Sequence, residues 1–448
     1  MESWTINRAD PFQEVVPPLS EKEARDEALR CYYCYDAPCI HGCPTAINIP
    51  VFIHQIAIGD LAGASRTILD ANILGATCAR ICPTEALCEG ACVRHTDSRP
   101  VSIGRLQRGA MDYAMETGAP SLPDKRVVGS GRVAIVGAGP AGLGAAAELR
   151  RLGYTVEVFE ARPSGGGLDT YGIVSYREPV AVSLWEVEQV KRLGAVFHFN
   201  TRVGRDVEWG TLLGQYDAVV VAVGLGKVPR LGIPGEDLPG VWDALDLIEA
   251  TKIQPLDAIP MGRRVAVIGA GNTAVDAATC AKRLGAEEVT ILYRRGEDAM
   301  PAYGYEYAFA KADGVTYKWW ALPVEIVGQA AVEGLRYVRT RVVEGAGSGR
   351  TAPLETVPGS ERLLEVDTVI RAIGQEKPQG LWRQLGIEER HGRPLVDPGT
   401  LESSRPRVYI VGDGLARGGE ATVVGAVADG KRVAAAIHRA LSKTSNGE

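Results

Sequence analysis

The chain has 448 residues, 46% of them hydrophobic and 23% charged, with a formal net charge of −6, which suits a globular protein of about three domains. That acidic balance leaves no basic footprint, so nucleic acid is excluded as an expected partner. No apolar run approaches the roughly 20 residues that span a bilayer, and MESWTINRADPFQEVV lacks the basic start and apolar core of a signal peptide. No membrane contact and a cytoplasmic location are therefore expected.

In that compartment disulfides are rare, so crowded cysteines point to metal or catalysis. The first periodic stretch is SEKEARDEALRC, a helix pattern with Ser20 as cap and Glu23 three residues on. Then comes Cys31-x2-Cys34-x4-Cys39-x3-Cys43-Pro44, and after helical segments at 49–74 a second set, Cys78-x3-Cys82-Pro83-x4-Cys88-x3-Cys92. Three closely spaced thiolates can hold one face of a cubane cluster while a more distant residue supplies the fourth bond. In two-cluster ferredoxins the cysteine before proline serves the other cluster. Structural zinc sites prefer two C-x2-C knuckles, and here there is a single C-x2-C. Two [4Fe–4S] clusters are expected, in an α-helical domain over residues 1–117 that ends on a helix at 102–117. Cys78 is the thiol of this domain expected to stay unligated. GAPSLPDKRVVGSG, residues 118–131, reads as a linker.

RVAIVGAGPAGLGAAAELRRLGYTVEVFEAR follows: strand, glycine-rich turn, helix, and a second strand ending on an acid. Gly137 and Gly139 let the backbone reach a pyrophosphate, Gly142 lets the helix pack on the strand, and Glu160 can bind ribose hydroxyls. A strand over YDAVVVAVGLGKVPR closes this first nucleotide unit, 132–240. RRVAVIGAGNTAVDAATCAKRLGAEEVTILYRR repeats the pattern within 241–371, with the fingerprint Gly269, Gly271, Asn272, Thr273 and Ala274. Its second strand ends on Arg294 and Arg295 instead of an acid, which suits the 2′-phosphate of NADPH; two solvated arginines are the plainer alternative. EGAGSGRTAPLE, 344–355, reads as a hairpin loop, and Cys280 as a core residue of a helix. After the strand VDTVIRAIG the chain returns to the first unit, 372–448. There RPRVYIVGDG places Gly412 and Asp413 after a strand, either near a flavin's ribityl or phosphate groups or as a turn cap. A helix from about Thr422 to Leu441 ends the unit. The expected fold class is α/β: an N-terminal α-helical iron–sulfur domain, then two Rossmann-like domains, the NADPH domain inserted in the FAD domain.

The stretches DAPC, GATCARICPTEALCEGAC, PVSIGRLQR, GAGPAGL, GAGNTA and YRRGEDAMP resemble the NAD(P)H-oxidising part of dihydropyrimidine dehydrogenase and its separate bacterial subunit. Glutamate synthase small subunits share the plan, and the resemblance runs nearly end to end. It implies one cluster on Cys31, Cys34, Cys39 and Cys92, and another on Cys43, Cys82, Cys88 and Gln107, with Cys78 left out. It also implies that GGGLDTYGI, with Gly167 and Leu168, and Arg177 lie along the flavin near the nicotinamide; a flexible surface loop is the alternative for that stretch. Electrons would pass from NADPH to FAD, then through the clusters to an FMN-containing catalytic subunit that reduces uracil or thymine. No side chain of this chain need act as acid or base. Glutamine in the IGxLQ motif and the DAPC sequence lean to the pyrimidine enzymes. A glutamate synthase large subunit, or ferredoxin taken up by a free-standing reductase, is the alternative acceptor.

Overall fold

The structure, a computed structural model, describes residues 10–118, 120, 122, 129–344, 349–415 and 421–445. Most of the expected linker at 118–131 and residues 345–348 of the expected hairpin loop lie outside the described residues. The backbone divides into two compact units. One comprises Val16–Thr170, Arg177–Leu225 and Lys377–Glu448; the other comprises Tyr171–Tyr176, Gly226–Glu376 and the described part of Met1–Val15.

The first unit begins with helices α1 (Glu21–Ala28), α2 (Pro38–His41), α3 (Ile49–Ala57), α4 (Leu61–Ala71), α5 (Gly75–Ile81) and α6 (Ile103–Thr117). Ser20 and Glu23 form a reciprocal capping box on α1, which satisfies two otherwise orphaned donors. Asp60 caps α4 through the Gly63 N–H at 2.8 Å. The apolar stripes of α3, α4 and α6 meet in a core where Phe52, Ile53, Ile68, Leu106 and Met111 are fully buried.

The chain continues through β1 (Arg132–Val136), α7 (Pro140–Arg151), β2 (Thr155–Phe159), α8 (Leu168–Tyr171), α9 (Val180–Arg192), β3 (Val196–His198), α10 (Trp209–Gln215) and β4 (Ala218–Val221). The second unit carries β5 (Val241–Asp243), α11 (Ala244–Ile253), β6 (Arg264–Ile268), α12 (Asn272–Arg283), β7 (Glu288–Tyr293), α13 (Gly304–Ala312) and β8 (Thr316–Trp319). An antiparallel excursion follows, β9 (Ala321–Val327), β10 (Gly334–Val342), β11 (Leu354–Thr356) and β12 (Arg362–Leu364), before β13 (Thr368–Arg371). Back in the first unit come α14 (Gln379–Gln384), the hairpin β14 (Glu389–Arg390) and β15 (Arg393–Pro394), β16 (Val408–Ile410) and α15 (Val423–Ser445).

Each unit holds a five-stranded sheet, in the orders β16-β4-β1-β2-β3 and β5-β13-β6-β7-β8, and every pairing in both is parallel. Strands buried on both faces explain the unbroken apolar runs RVAIV and RVAVI. Because β16 pairs with β4 in register Val408↔Val219, the second nucleotide-binding domain is an insertion in the first. In the second unit the N-terminal segment is fastened to the fold. Phe12 is buried in the same core as Val174 and Tyr176, and Arg283 donates to the Pro11 carbonyl at 2.6 Å. Among the described residues no helix is long and apolar enough to cross a membrane.

Candidate functional site

Cys31, Cys34, Cys39 and Cys92 line one pocket of about 360 Å³, partly open to solvent, walled by Pro38, Ile49 and Ile53. Cys31 follows the last turn of α1, Cys39 lies in α2, and Cys92 precedes the 3-10 turn Val93–Thr96. Between the first two cysteines Tyr33 is left-handed at φ +52°, which a non-glycine residue adopts at a cost. This turn aims the Tyr33 N–H at the Cys31 sulfur, 3.4 Å away. Burial pushes the Cys31 thiol up, and Cys34 and Cys92 add to the shift. Burial, then Cys31 and Cys92, push Cys39 up to about 12. Such thiols stay protonated at neutral pH, so binding of a metal centre releases their protons. Among the described residues no three His, Cys, Asp or Glu side chains converge tightly enough for a single ion. Four thiols standing around one pocket, with an N–H directed at sulfur, fit the donor set of a cubane.

The second set gathers beside α5 and α6. Cys82 ends α5, the Cys43 sulfur lies 3.3 Å from the Thr45 hydroxyl, and the Cys88 thiol is pushed up by burial, by Glu89, and by Cys82 and Cys43. Gln107 is buried on α6 and its Nε2 donates to the Gly75 carbonyl at 2.7 Å. With the nitrogen so engaged, Oε1 is the amide atom that keeps lone pairs to offer. Cys78 is buried on α5, its thiol raised by a hydrogen bond with Cys82 and by burial. None of the nine cysteines is in a disulfide.

At the first fingerprint Gly137 has φ +105°, and a Cβ there would lie 2.4 Å from the Ala222 carbonyl oxygen; one on Gly142 would lie 2.0 Å from the Gly137 oxygen. Gly139 caps α7 and faces Gly167, whose Cα would be 3.8 Å from an added Cβ. The Glu160 carboxylate accepts from the Ala138 and Arg162 N–H groups, both at 2.8 Å, which holds it at the turn. The loop at Gly166 donates back to the Ala138 carbonyl at 2.7 Å. Leu168 opens α8 exposed, and Arg177 is half-buried and partnered. Gly412, at φ +70°, approaches Ala141 at the start of α7. Burial and then Asp429 raise the neighbouring Asp413 carboxyl.

The second fingerprint repeats this geometry: a Cβ on Gly269, at φ +122°, would lie 2.2 Å from the Ala372 carbonyl. Gly271 caps α12, the Asn272 side-chain Oδ1 accepts from the Tyr303 N–H at 3.2 Å, and Thr273 and Ala274 complete the first turn, Ala274 fully buried. The two arginines beyond β7 part company. Arg294 is exposed, while Arg295 is buried and donates to the Ala352 and Gly349 carbonyls at 2.7 and 3.4 Å. The structure thus separates two residues that the sequence alone treats alike.

One feature of the first unit escapes motif reading. Glu186 on α9 and Glu178 before it are both fully buried. Glu186 accepts from the Ala76 and Thr77 N–H groups at 2.7 and 3.0 Å, which are unpaired donors at the start of α5. The available signal was a glutamate on the apolar side of a helix, SLWEVEQV.

Residues 8–119 match the family described as dihydropyrimidine dehydrogenase domain II, 4Fe-4S cluster, and residues 131–430 match pyridine nucleotide-disulphide oxidoreductase. The chain is 35% identical over 443 residues to the glutamate synthase [NADPH] small chain of Halomonas elongata, covering 96% of this chain and 93% of that one. It is 32% identical over 431 residues to the NAD-dependent dihydropyrimidine dehydrogenase subunit PreT of Escherichia coli, covering 96% and 97%. Among solved structures, Mycobacterium tuberculosis FprA in complex with NADPH aligns with a TM-score of 0.57 at 23% identity, over 71% of this chain and 86% of that one, a likeness of fold. The chain belongs to the pyridine nucleotide-disulphide oxidoreductases, in the group that carries a 4Fe-4S domain ahead of the flavin and pyridine-nucleotide domains.

Proposed function

We propose that this chain is the electron-input subunit of an NADPH-dependent dihydropyrimidine dehydrogenase, working in the cytoplasm with an FMN-containing partner subunit that reduces uracil or thymine. When bound, FAD takes two electrons together from NADPH and releases them singly, and two [4Fe–4S] clusters carry them one at a time. The observation that carries this reading is the grouping of Cys31, Cys34, Cys39 and Cys92 around one pocket in the same compact unit as the Gly137 turn.

Each residue then has a role. Gly137, Gly139 and Gly142 clear room for the FAD pyrophosphate, Glu160 takes its ribose hydroxyls, and Gly412 and Asp413 lie by its ribityl and phosphate groups. Gly167, Leu168 and Arg177 border the flavin. Gly269, Gly271, Asn272, Thr273 and Ala274 receive the NADPH pyrophosphate at the start of α12, and Arg294 meets the 2′-phosphate. Cys31, Cys34, Cys39 and Cys92 hold one cluster; Cys43, Cys82, Cys88 and Gln107 hold the other. Gln107 favours the pyrimidine partner over glutamate synthase.

A second reading, with a glutamate synthase large subunit as acceptor, is favoured by identity: 35% to the glutamate synthase small chain against 32% to PreT. Reconstitution decides between them. The purified chain is mixed with an FMN-type dihydropyrimidine dehydrogenase subunit or with a glutamate synthase large subunit, and NADPH-dependent uracil reduction and glutamate formation are measured. Uracil reduction only with the first supports the proposal; glutamate formation with the second replaces it.

A further inference from the structure

Two carboxylates and one hydroxyl meet inside the first unit. The Thr77 hydroxyl lies 2.5 Å from a Glu178 oxygen and 2.6 Å from a Glu186 oxygen. A hydroxyl has one proton and can donate to only one of the two. The other contact is a close approach of oxygen lone pairs unless the second carboxyl carries its own proton and donates to Thr77. Both glutamates are fully buried, and two carboxylates sharing a buried site do not both ionise. The geometry therefore holds one proton across Glu178, Thr77 and Glu186.

Among the described residues, the following groups act on Glu186. From α5 come the Ala76 and Thr77 N–H groups, the Thr77 hydroxyl and the Cys78 thiol; from the strand of chain before α9 comes Glu178. Arg80 of α5 and Arg108 of α6 both pair with Asp112, Arg80 also donates to the Ala76 carbonyl at 3.2 Å, and these arginines and Glu178 each have further interactions. Burial, the largest influence, and Glu178 push Glu186 up to about 8, against the hydrogen bonds from Thr77 and Ala76. A group poised near the working pH passes protons well in both directions.

The place of this group is as telling as its chemistry. On one side it caps α5, the helix that ends on Cys82. On the other it sits one turn along α9 from Ser183, whose hydroxyl is 2.9 Å from that of Thr170; Thr170 in turn donates to the Gly165 carbonyl at 2.7 Å. Gly165 belongs to the loop that borders Gly139 of the first fingerprint.

We propose that Glu178, Thr77 and Glu186 form a proton-holding site whose occupancy is linked to the charge on the cluster held beside α5 and α6. This rests on the function proposed above. The residues are positioning residues, since they act on the cluster through charge and through α5. Linkage is reciprocal: an electron added to the cluster makes the site hold its proton more tightly. Below about pH 8 the proton is present in both redox states and the potential is level. Above it, reduction draws a proton in, and the potential falls by up to about 59 mV per pH unit, a tenfold change in the one-electron equilibrium.

The test is a pH series of cluster midpoint potentials on cluster-loaded protein, together with redox-difference infrared spectra in the carboxylic-acid carbonyl region. Wild type should show one potential that falls with rising pH above about 8, and a protonated-carboxyl band that responds to reduction. Glu178→Gln and Glu186→Gln should each flatten the profile and remove the band. Glu178→Gln is the safer variant, because Glu186 also caps α5. A level profile in wild type, or a pH dependence that persists in Glu178→Gln, overturns the proton site while leaving the electron-input role standing. Protein that binds no iron, or whose flavin NADPH does not reduce, overturns both.

Discussion

The Arg295 guanidinium donates to the Ala352 carbonyl at 2.7 Å, which commits it to the loop joining β10 and β11, whereas its neighbour Arg294 stands exposed at the end of β7. If the 2′-phosphate of NADPH binds here, Arg294 supplies the charge. Hydrogen bonds to charged groups contribute about 1.5–3 kcal/mol, and 1.4 kcal/mol is tenfold. Arg294→Ala is therefore expected to raise KM for NADPH by about tenfold or more and leave KM for NADH nearly unchanged. Arg295→Ala is expected to act differently, lowering Tm by releasing a buried loop contact. Steady-state kinetics with both nucleotides, beside thermal melts, separate the two. Wild-type preference for NADH would remove the basis of the assignment.

Gly137→Ala is expected to abolish FAD retention. Its φ of +105° is strained for any side chain, and the new methyl would lie 2.4 Å from the Ala222 carbonyl, a backbone atom with little freedom to yield. The left-handed conformation alone costs roughly 1–2 kcal/mol, and displacing the turn moves the amides that meet the pyrophosphate. Gly109→Ala, in α6 with no heavy atom within 4 Å of the new methyl, is the matched control and should bind flavin normally. The flavin-to-protein ratio after gel filtration reads both.

What was legible in the sequence is what is local. A βαβ unit states its glycines within a few residues because φ and close approach are set there, so Gly137, Gly142 and Gly269 could be placed without coordinates. The capping box at Ser20 and Glu23 is legible for the same reason. Cysteine spacing suggested clusters but could not say which thiol joins which; the pocket groups Cys92 with Cys31, Cys34 and Cys39 across about sixty residues of chain, and Gln107 was reached only through resemblance. Contacts between distant segments stayed hidden. Nothing near Phe12 says that it is buried with Tyr176. Arg294 and Arg295 look equivalent until Ala352, 57 residues away, takes one of them. Thr77 and Glu186 are 109 residues apart, and no motif joins them.

Gln107 offers a neutral oxygen where the other proposed ligands are thiolates. One fewer negative charge beside a cluster favours its reduction, so this cluster should have a higher potential than one with four thiolates. Gln107→Cys is expected to lower it, and because Nε2 also holds the Gly75 carbonyl, Gln107→Glu is a useful second variant that adds charge with less change of shape. It too should lower the potential. Redox titration followed by electron paramagnetic resonance measures both. An unchanged potential in Gln107→Cys, with iron content preserved, would show that Gln107 is not a ligand.

Cys78 and Cys82 lie one turn apart on α5, thiol against thiol, yet opposite outcomes are expected from removing them. Cys82 faces Cys88, as does Cys43, whereas Cys78 is buried in the helix packing with Asn72 and Glu186 near its sulfur. Wild type prepared without oxygen should carry roughly eight irons, four per cubane. Cys82→Ala, like Cys31→Ala, should lose one cluster and fall to about half that content. Cys78→Ala should keep both clusters and cost only the packing of a small buried side chain. Loss of either cluster should stop electron delivery to a partner subunit while NADPH-driven reduction of ferricyanide through FAD persists. Iron and sulfide analysis with parallel dye and partner assays checks all of this. If Cys78→Ala instead loses iron and Cys82→Ala retains it, the ligand set must be redrawn with Cys78 in place of Cys82.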